Sequence, residues 1–132
     1  MKYEEKWAGR ELSPDKLKRL SSFTVAMTKI RTSSPALSNY NQFLITSALA
    51  SADIVGFDPD ISTLIAYTKL SSSSMYKALK NMEDQNLIEY YFIPNDNKRK
   101  YVRSTKLLID QYLDYLNQTN FLIEIITDRQ EN

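Results

Sequence analysis

Residues 70–85 read LSSSSMYKALKNMEDQ, and residues 88–104 read IEYYFIPNDNKRKYVRS. The first stretch has the period of a helix. Ser71 is a natural N-cap for a helix over 72–85. With Met75 at zero and about 100° per residue, Ala78, Leu79 and Met82 fall within about 60° of it. Ser73, Lys77 and Lys80 fall on the opposite side, with Ser74, Tyr76 and Asn81 on the flanks. Such a helix buries one face and leaves a polar, cationic face open. The second stretch changes period. Residues 88–93 are aromatic and β-branched, as strands prefer. Pro94-Asn95-Asp96-Asn97 is a group of turn formers, and residues 98–104 return as a second strand. The resulting hairpin has a basic tip, because Lys98, Arg99, Lys100, Arg103 and Lys106 place five cations within nine residues.

Working back from residue 70, Lys69-Leu70-Ser71 ends a short helix that Asp60 caps, with Ile61, Leu64 and Ile65 inward. Asp53 to Asp60 holds Gly56 and Pro59 and reads as a loop. Ser34-Pro35 starts a helix whose apolar face is Ala36, Leu37, Tyr40, Phe43, Leu44, Ser47 and Ala48. Ser13-Pro14 starts another, with Leu17, Leu20, Phe23, Met27 and Ile30 at spacings of three or four. After the hairpin, a last helical region runs from Thr105, with an interruption expected at Asn117 to Asn120. It ends in the apolar group Phe121, Leu122, Ile123, Ile125 and Ile126.

Helix, short turn, helix and basic hairpin make a winged helix-turn-helix, mainly α with a small β-hairpin wing. The second helix of such a pair lies in the major groove of DNA. Its open face needs short polar side chains near the helix start and cations further along. Ser72, Ser73, Ser74, Tyr76, Lys77, Lys80 and Asn81 meet that need, since hydroxyls, amides and amines reach phosphates or base edges. The wing cations Lys98, Arg99, Lys100 and Arg103 are placed for the backbone or the minor groove.

Composition narrows the alternatives. The chain has 132 residues, 42% hydrophobic and 25% charged, with a net charge of +1, as for one soluble globular domain. It has no Cys and no His. That removes thiol chemistry, the most frequent general base and the usual transition-metal ligands. The sixteen carboxylates include pairs such as Asp110 and Asp114, which a solvated helix face explains. No phosphate loop or nucleophile motif is present, so an enzyme is not expected, nor a cofactor or a metal. No apolar run approaches the roughly 20 residues that span a bilayer, and the first residues have no signal-peptide character. The expected location is the cytoplasm, on the nucleoid when DNA is bound. Charge is uneven along the chain. Residues 67–106 carry eight basic and four acidic groups, and residues 107–132 carry one basic and five acidic. The basic island coincides with the second helix and the wing, where a polyanion would bind.

Residues 60–108 resemble the winged helix of the MarR family of bacterial transcription regulators. The likeness begins at Leu70-Ser71-Ser72-Ser73-Ser74-Met75-Tyr76-Lys77, similar to the family's turn and recognition-helix start. It continues through Met82-Glu83-Asp84-Gln85-Asn86-Leu87-Ile88, like the Leu-Glu-x-x-Gly-Leu-Ile/Val helix exit. Asp96-Asn97-Lys98-Arg99 and Val102-Arg103-Ser104-Thr105 resemble the wing. Lys69 and Asn86 stand where the family has Gly, Lys98 where it has the wing Arg, and Leu108 at the Gly of Thr-x-x-Gly.

The resemblance implies a DNA-binding regulator, most often a repressor, that dimerises through its terminal helices. Residues 34–106 would form the DNA-binding lobe, and 13–31 and 107–127 the dimerisation helices, all within a single domain over 1–132. Leu17, Leu20, Phe23, Met27 and Ile30 would meet Leu113, Leu116, Phe121, Ile125 and Ile126 across the dimer axis. The chain has more apolar residues outside the winged helix than one small core needs. Double-stranded DNA and a second copy are therefore the expected partners. The resemblance also implies room for a small aromatic or amphipathic effector, with Tyr40, Phe43, Tyr67 and Tyr112 as candidate lining. Two other uses of the same fold stay open on sequence. One is a plasmid or phage replication or partition protein, and the other is a winged-helix adaptor that binds protein.

Overall fold

A computed structural model describes Lys6 and residues 9–131 of the chain, without the side chains of residues 97, 126 and 128–131. The expected place of Ile126 in the apolar stripe therefore lies outside the described residues. Between residues 9 and 131, five helices and a hairpin follow in order: α1 (Pro14–Thr32), α2 (Tyr40–Val55), α3 (Ile61–Thr68), α4 (Ser72–Asp84), β1 (Ile88–Ile93), β2 (Asp96–Ser104) and α5 (Lys106–Glu131). The mainly helical winged fold is thus as expected. None of the described helices is long and apolar enough to cross a membrane.

Three expected caps are in place. Ser13 accepts from the Lys16 amide, Asp60 from Thr63 and Ser71 from Ser74. Each satisfies one of the amides that a helix start leaves without a partner.

Ser34-Pro35 does not start α2. The helix begins at Tyr40, capped by Asn39, whose side chain accepts from the Gln42 amide at 3.1 Å. Residues 34–38 form a turn instead, and it carries Ala36 and Leu37 into the core. The reason is tertiary. Gln111 Oε1 on α5 accepts from the Ala36 amide at 3.1 Å and from the Ser34 hydroxyl at 3.0 Å. Arg31 donates to the carbonyls of Leu37 and Ser38. With α2 starting later, its buried face is Gln42, Ile45, Thr46, Ala48, Leu49 and Ala52, and Tyr40 stays 60% exposed. The helix also runs to Val55, into the expected loop. Gly56, at φ +99°, closes it with its amide on the Ala52 carbonyl, a backbone state that favours glycine.

Nor is α5 interrupted at Asn117 to Asn120. Gln118 donates to Asp114 and Asn120 to Glu124, both at i, i+4 along the helix, so the polar side chains are tied to their own helix.

The core lies between α2, α4, the hairpin and the first turns of α5. Leu37, Ile45, Leu49, Leu64, Met75, Leu79, Met82, Leu87, Val102 and Leu108 are all fully buried there. By contrast, no residue of α1 is buried. Leu20 and Val25 on α1, and Leu113, Leu116 and Phe121 on α5, are 40–64% exposed.

Strands β1 and β2 are antiparallel, with Glu89 opposite Arg103, Tyr90 opposite Val102 and Tyr91 opposite Tyr101. A register shift lies between Tyr91 and Ile93. Asn95 takes φ +75° after Pro94, the pairing that a type II turn requires. A third segment, unseen in the sequence, joins the hairpin: Asp60 bridges to Tyr101, and the Val102 amide donates to the Pro59 carbonyl at 2.9 Å. The wing is thereby tethered to the loop between α2 and α3.

Candidate nucleic-acid interface

The polar face of α4 follows from the burial of its other face. Met75, Ala78, Leu79 and Met82 are buried in the core, so Ser72, Ser73, Tyr76, Lys77, Lys80 and Asn81 are exposed, with Ser74 partly so. Lys80 lies 3.9 Å from Asp84, a solvent-exposed pair of the kind that contributes little. Among the described residues, no carboxylate stands within ion-pair distance of Lys77.

The turn into α4 places Lys69 at φ +60° as the cap of α3. Thr68 supports it by donating to the Leu64 carbonyl at 2.8 Å and accepting from the Leu70 amide. At the far end of α4, Asn86 takes φ +59°. Its carbonyl accepts the Thr105 hydroxyl at 2.7 Å, which ties the exit of α4 to the start of α5.

Alternation sorts the wing cations onto two faces. Val102 and Ile88 point into the core, so Tyr90 and Lys100 share their face, toward α4. Lys100 Nζ sits 4.1 Å from the centre of the Tyr90 ring, a cation–π contact that holds the ammonium on the α4 side of the wing. Burial, aided by the negative charge of Glu83, pushes the Tyr90 phenol up to about 12, so the ring stays neutral. The other face carries Glu89, Tyr91, Tyr101 and Arg103. Arg103 is engaged there. Its Nε lies 3.1 Å from Glu89, and its guanidinium stands 5.0 Å from the Tyr91 ring centre. Lys98 and Arg99 are exposed near the tip with no ion pair among the described residues.

Of the expected site residues, then, Ser72, Ser73, Tyr76, Lys77 and Asn81 stand open on one helix face, and Lys98, Arg99 and Lys100 stand on the adjoining wing. Lys80 is loosely paired, and Arg103 is committed to Glu89 and Tyr91. Tyr90, Tyr91 and Glu89 were missed as the residues that place these cations. Strand alternation would have found Tyr90, which is a diagonal neighbour of Lys100 across the register.

Of the four aromatics expected to line an effector pocket, Tyr40, Phe43 and Tyr112 join one ring cluster through Tyr115, with centroids 5.3–6.5 Å apart, and Tyr67 stands apart. Tyr67 is 65% exposed beside Val55 and Phe57, on another part of the lobe. Tyr112 places its hydroxyl 3.3 Å from the Ser47 hydroxyl, and Phe43 packs edge-on against Tyr115. A cleft of about 280 Å³ opens instead between the end of α1, the 33–35 turn and α5. Ile30, Pro35, Tyr115, Gln111 and Gln118 line it, with Asp110 and Asp114. Among the described residues, no group of three or more potential ligands is placed to hold a metal ion.

This arrangement matches solved structures over nearly the whole chain. MepR of Staphylococcus aureus, as a mutant bound to an oligodeoxyribonucleotide, superposes with a TM-score of 0.74 at 14% identity, over 89% of this chain and 84% of that one. The chain has the MarR-type winged-helix fold. A second MepR structure, described as a transcription regulator of the multidrug efflux pump MepA, shares this MarR-type fold at a TM-score of 0.72 and 12% identity, over 89% and 84% of the two chains. NadR in complex with 4-hydroxyphenylacetate shares it at 0.62 and 16%, over 93% and 85%. No family model matches the sequence, and no curated protein matches it.

Proposed function

We propose that the protein is a dimeric, sequence-specific, double-stranded DNA-binding transcription regulator, a repressor, with no enzymatic activity. In this reading α4 enters the major groove, and the wing lies on the backbone or in the minor groove. One observation carries it: a helix with a fully buried apolar face presents serines, Lys77 and Asn81 beside a ribbon bearing Lys98, Arg99 and Lys100. The fold shared with an oligodeoxyribonucleotide-bound MepR supports the same partner.

The dimer rests on the apolar side chains left exposed at Leu20 on α1 and at Leu113, Leu116 and Phe121 on α5, with Leu17, Phe23, Met27 and Ile30 half-buried beside them, which a second copy would cover. Residues 13–31 and 107–127 would supply that interface, and 34–106 the DNA-binding lobe, within a single domain. Such a dimer reads two half-sites about one helical turn apart. A small-molecule effector, of which NadR with 4-hydroxyphenylacetate is a precedent, would take the cleft lined by Tyr115 and Gln111. The cytoplasm is the matching location.

The test is binding to DNA from the upstream region of its own gene, across a salt series. Lys98, Arg99 and Lys100 give about six phosphate neutralisations per dimer, hence a log–log slope of about −5 and a loss of roughly 10³-fold between 50 and 200 mM salt. No binding at low salt would end the proposal. Footprinting then separates a promoter palindrome from the tandem repeats that a replication or partition protein would occupy. A protein partner retained at high salt after DNase treatment would favour an adaptor instead.

A further inference from the structure

The loop between α2 and α3 and the outer face of the wing meet in a contact that the proposed DNA interface does not use. Tyr91, half-buried on β1, donates its phenolic hydrogen to Asp58 Oδ2 at 2.5 Å. Its ring stacks on Tyr101 with centroids 5.6 Å apart and the planes 25° from parallel. The Arg103 guanidinium covers it at 5.0 Å while bonding Glu89. The backbone bridge from Asp60 to Tyr101 and the bond from Val102 to Pro59 run alongside.

A two-stranded hairpin by itself is marginal in water, so its direction must be set by what it touches. The inner face is set by the core through Val102 and Ile88. Along the outer face, the side-chain hydrogen bond from the ribbon to the loop among the described residues runs from Tyr91 to Asp58, a short, charge-assisted bond of the stronger class, while Arg99 acts on the Asp60 carboxylate through its charge alone. The hydrogen bond to Asp58 also raises the Tyr91 phenol above its ordinary range, as expected for a proton held by a carboxylate.

We propose that Tyr91 and Asp58 form a latch that fixes the angle of the wing against the helix-turn-helix, with Tyr91 as a positioning residue for the wing cations. The latch itself is a property of the fold. Its consequence for DNA rests on the function proposed above. Tyr91 touches no DNA in this scheme. It acts by holding β1 and β2 so that Lys98, Arg99 and Lys100 stand at a fixed distance from α4. Arg103 serves the latch by covering the ring, which accounts for its engagement with Glu89.

Two measurements decide it. The first is amide hydrogen exchange of the full chain, followed at Val102, whose amide spans the seam between wing and loop. Tyr91→Phe keeps the ring, the stack and the Arg103 contact and removes only the hydroxyl. It should speed exchange at Val102 about tenfold, the loss expected for a partly exposed bond to a charged group. Asp58→Ala should do the same, and the double variant should add nothing further, since both remove one interaction. Asp58→Asn retains an acceptor oxygen and should stay within about threefold of the wild type. Unchanged exchange in Tyr91→Phe, or additive effects in the double variant, would overturn the latch.

The second measurement is the salt dependence of DNA binding. With the wing free to swing, Tyr91→Phe should flatten the slope by about two while preserving the ratio of affinities for matched and scrambled sequence. Faster exchange with an unchanged slope would refute the positioning role. If the wild type binds no DNA at all, the function proposed above fails, and the exchange experiment still decides the latch.

Discussion

Lys69 sits at φ +60° in the turn of the helix-turn-helix, and replacing it with Gly should stabilise the protein. The left-handed conformation costs an L-residue about 1–2 kcal/mol. Gly avoids that cost but gives the unfolded chain roughly 0.5–1 kcal/mol of extra freedom. The Lys69 side chain is exposed, with no hydrogen bond, ion pair or ring contact among the described residues, so its removal costs little. The net gain for Lys69→Gly is therefore about 0.5–1 kcal/mol. Unfolding entropy for 132 residues is about 0.28 kcal/mol/K, so the midpoint should rise by roughly 2–4 °C.

Two companions separate backbone from side chain. Lys69→Ala keeps the left-handed penalty and should be neutral. Asn86→Gly, at φ +59°, should gain less, because Asn tolerates this region better than Lys. Urea melts with a shared slope give the differences directly. A neutral or destabilised Lys69→Gly, or a gain in Lys69→Ala equal to that in Lys69→Gly, would refute the assignment of strain to the backbone.

Further outcomes follow from other contacts. Asp60 caps α3 through the Thr63 amide at 2.8 Å, and that bond holds its carboxyl below the ordinary 3.8. Asp60→Ala should cost about 1 kcal/mol at pH 6. A depressed folded value means stability present above the unfolded one and lost as pH falls through the folded one, so the gap should narrow below about pH 4; urea melts at pH 6 and pH 3 check this. Gln111→Ala would orphan the buried Ala36 amide and should cost about 1–3 kcal/mol, where an unchanged midpoint would dismiss the bond. Lys77→Ala, if Lys77 touches bases, should narrow the affinity ratio between matched and scrambled DNA, whereas Arg99→Ala should weaken all sequences alike. Equal effects of the two on that ratio, read by fluorescence anisotropy, would remove the division of labour.

Helix α4 and the hairpin were legible because their signals are local. Ser71 caps, Met75, Leu79 and Met82 repeat, and Pro94-Asn95 turns, all within a few residues of one another. Where the reading failed at the start of α2, a distant partner decided. Ser34-Pro35 has the form of a helix start, but Gln111, far along the chain, takes the Ala36 amide and holds a turn there instead. Asn117 to Asn120 has the composition of a break, but Asp114 and Glu124 bind Gln118 and Asn120 along an unbroken helix. The bridge from Asp60 to Tyr101 and the bond from Tyr91 to Asp58 join segments that no local pattern relates. In the candidate site, periodicity showed which side chains face outward. It did not show that Arg103 is occupied by Glu89, because that pairing depends on strand register.

The unbroken course of α5 has a mechanical consequence. Its 26 residues make a rod about 39 Å long. One end is fastened to the exit of α4 through Thr105 and Asn86, and the other lies among the apolar residues assigned above to the dimer seam. A tilt of about 5° at that seam would carry the opposite end through roughly 3.4 Å, one base-pair rise along a strand. In the dimer proposed above, a small rotation where the two copies join would thus shift each DNA-facing lobe by about a whole nucleotide step, with no change inside either lobe.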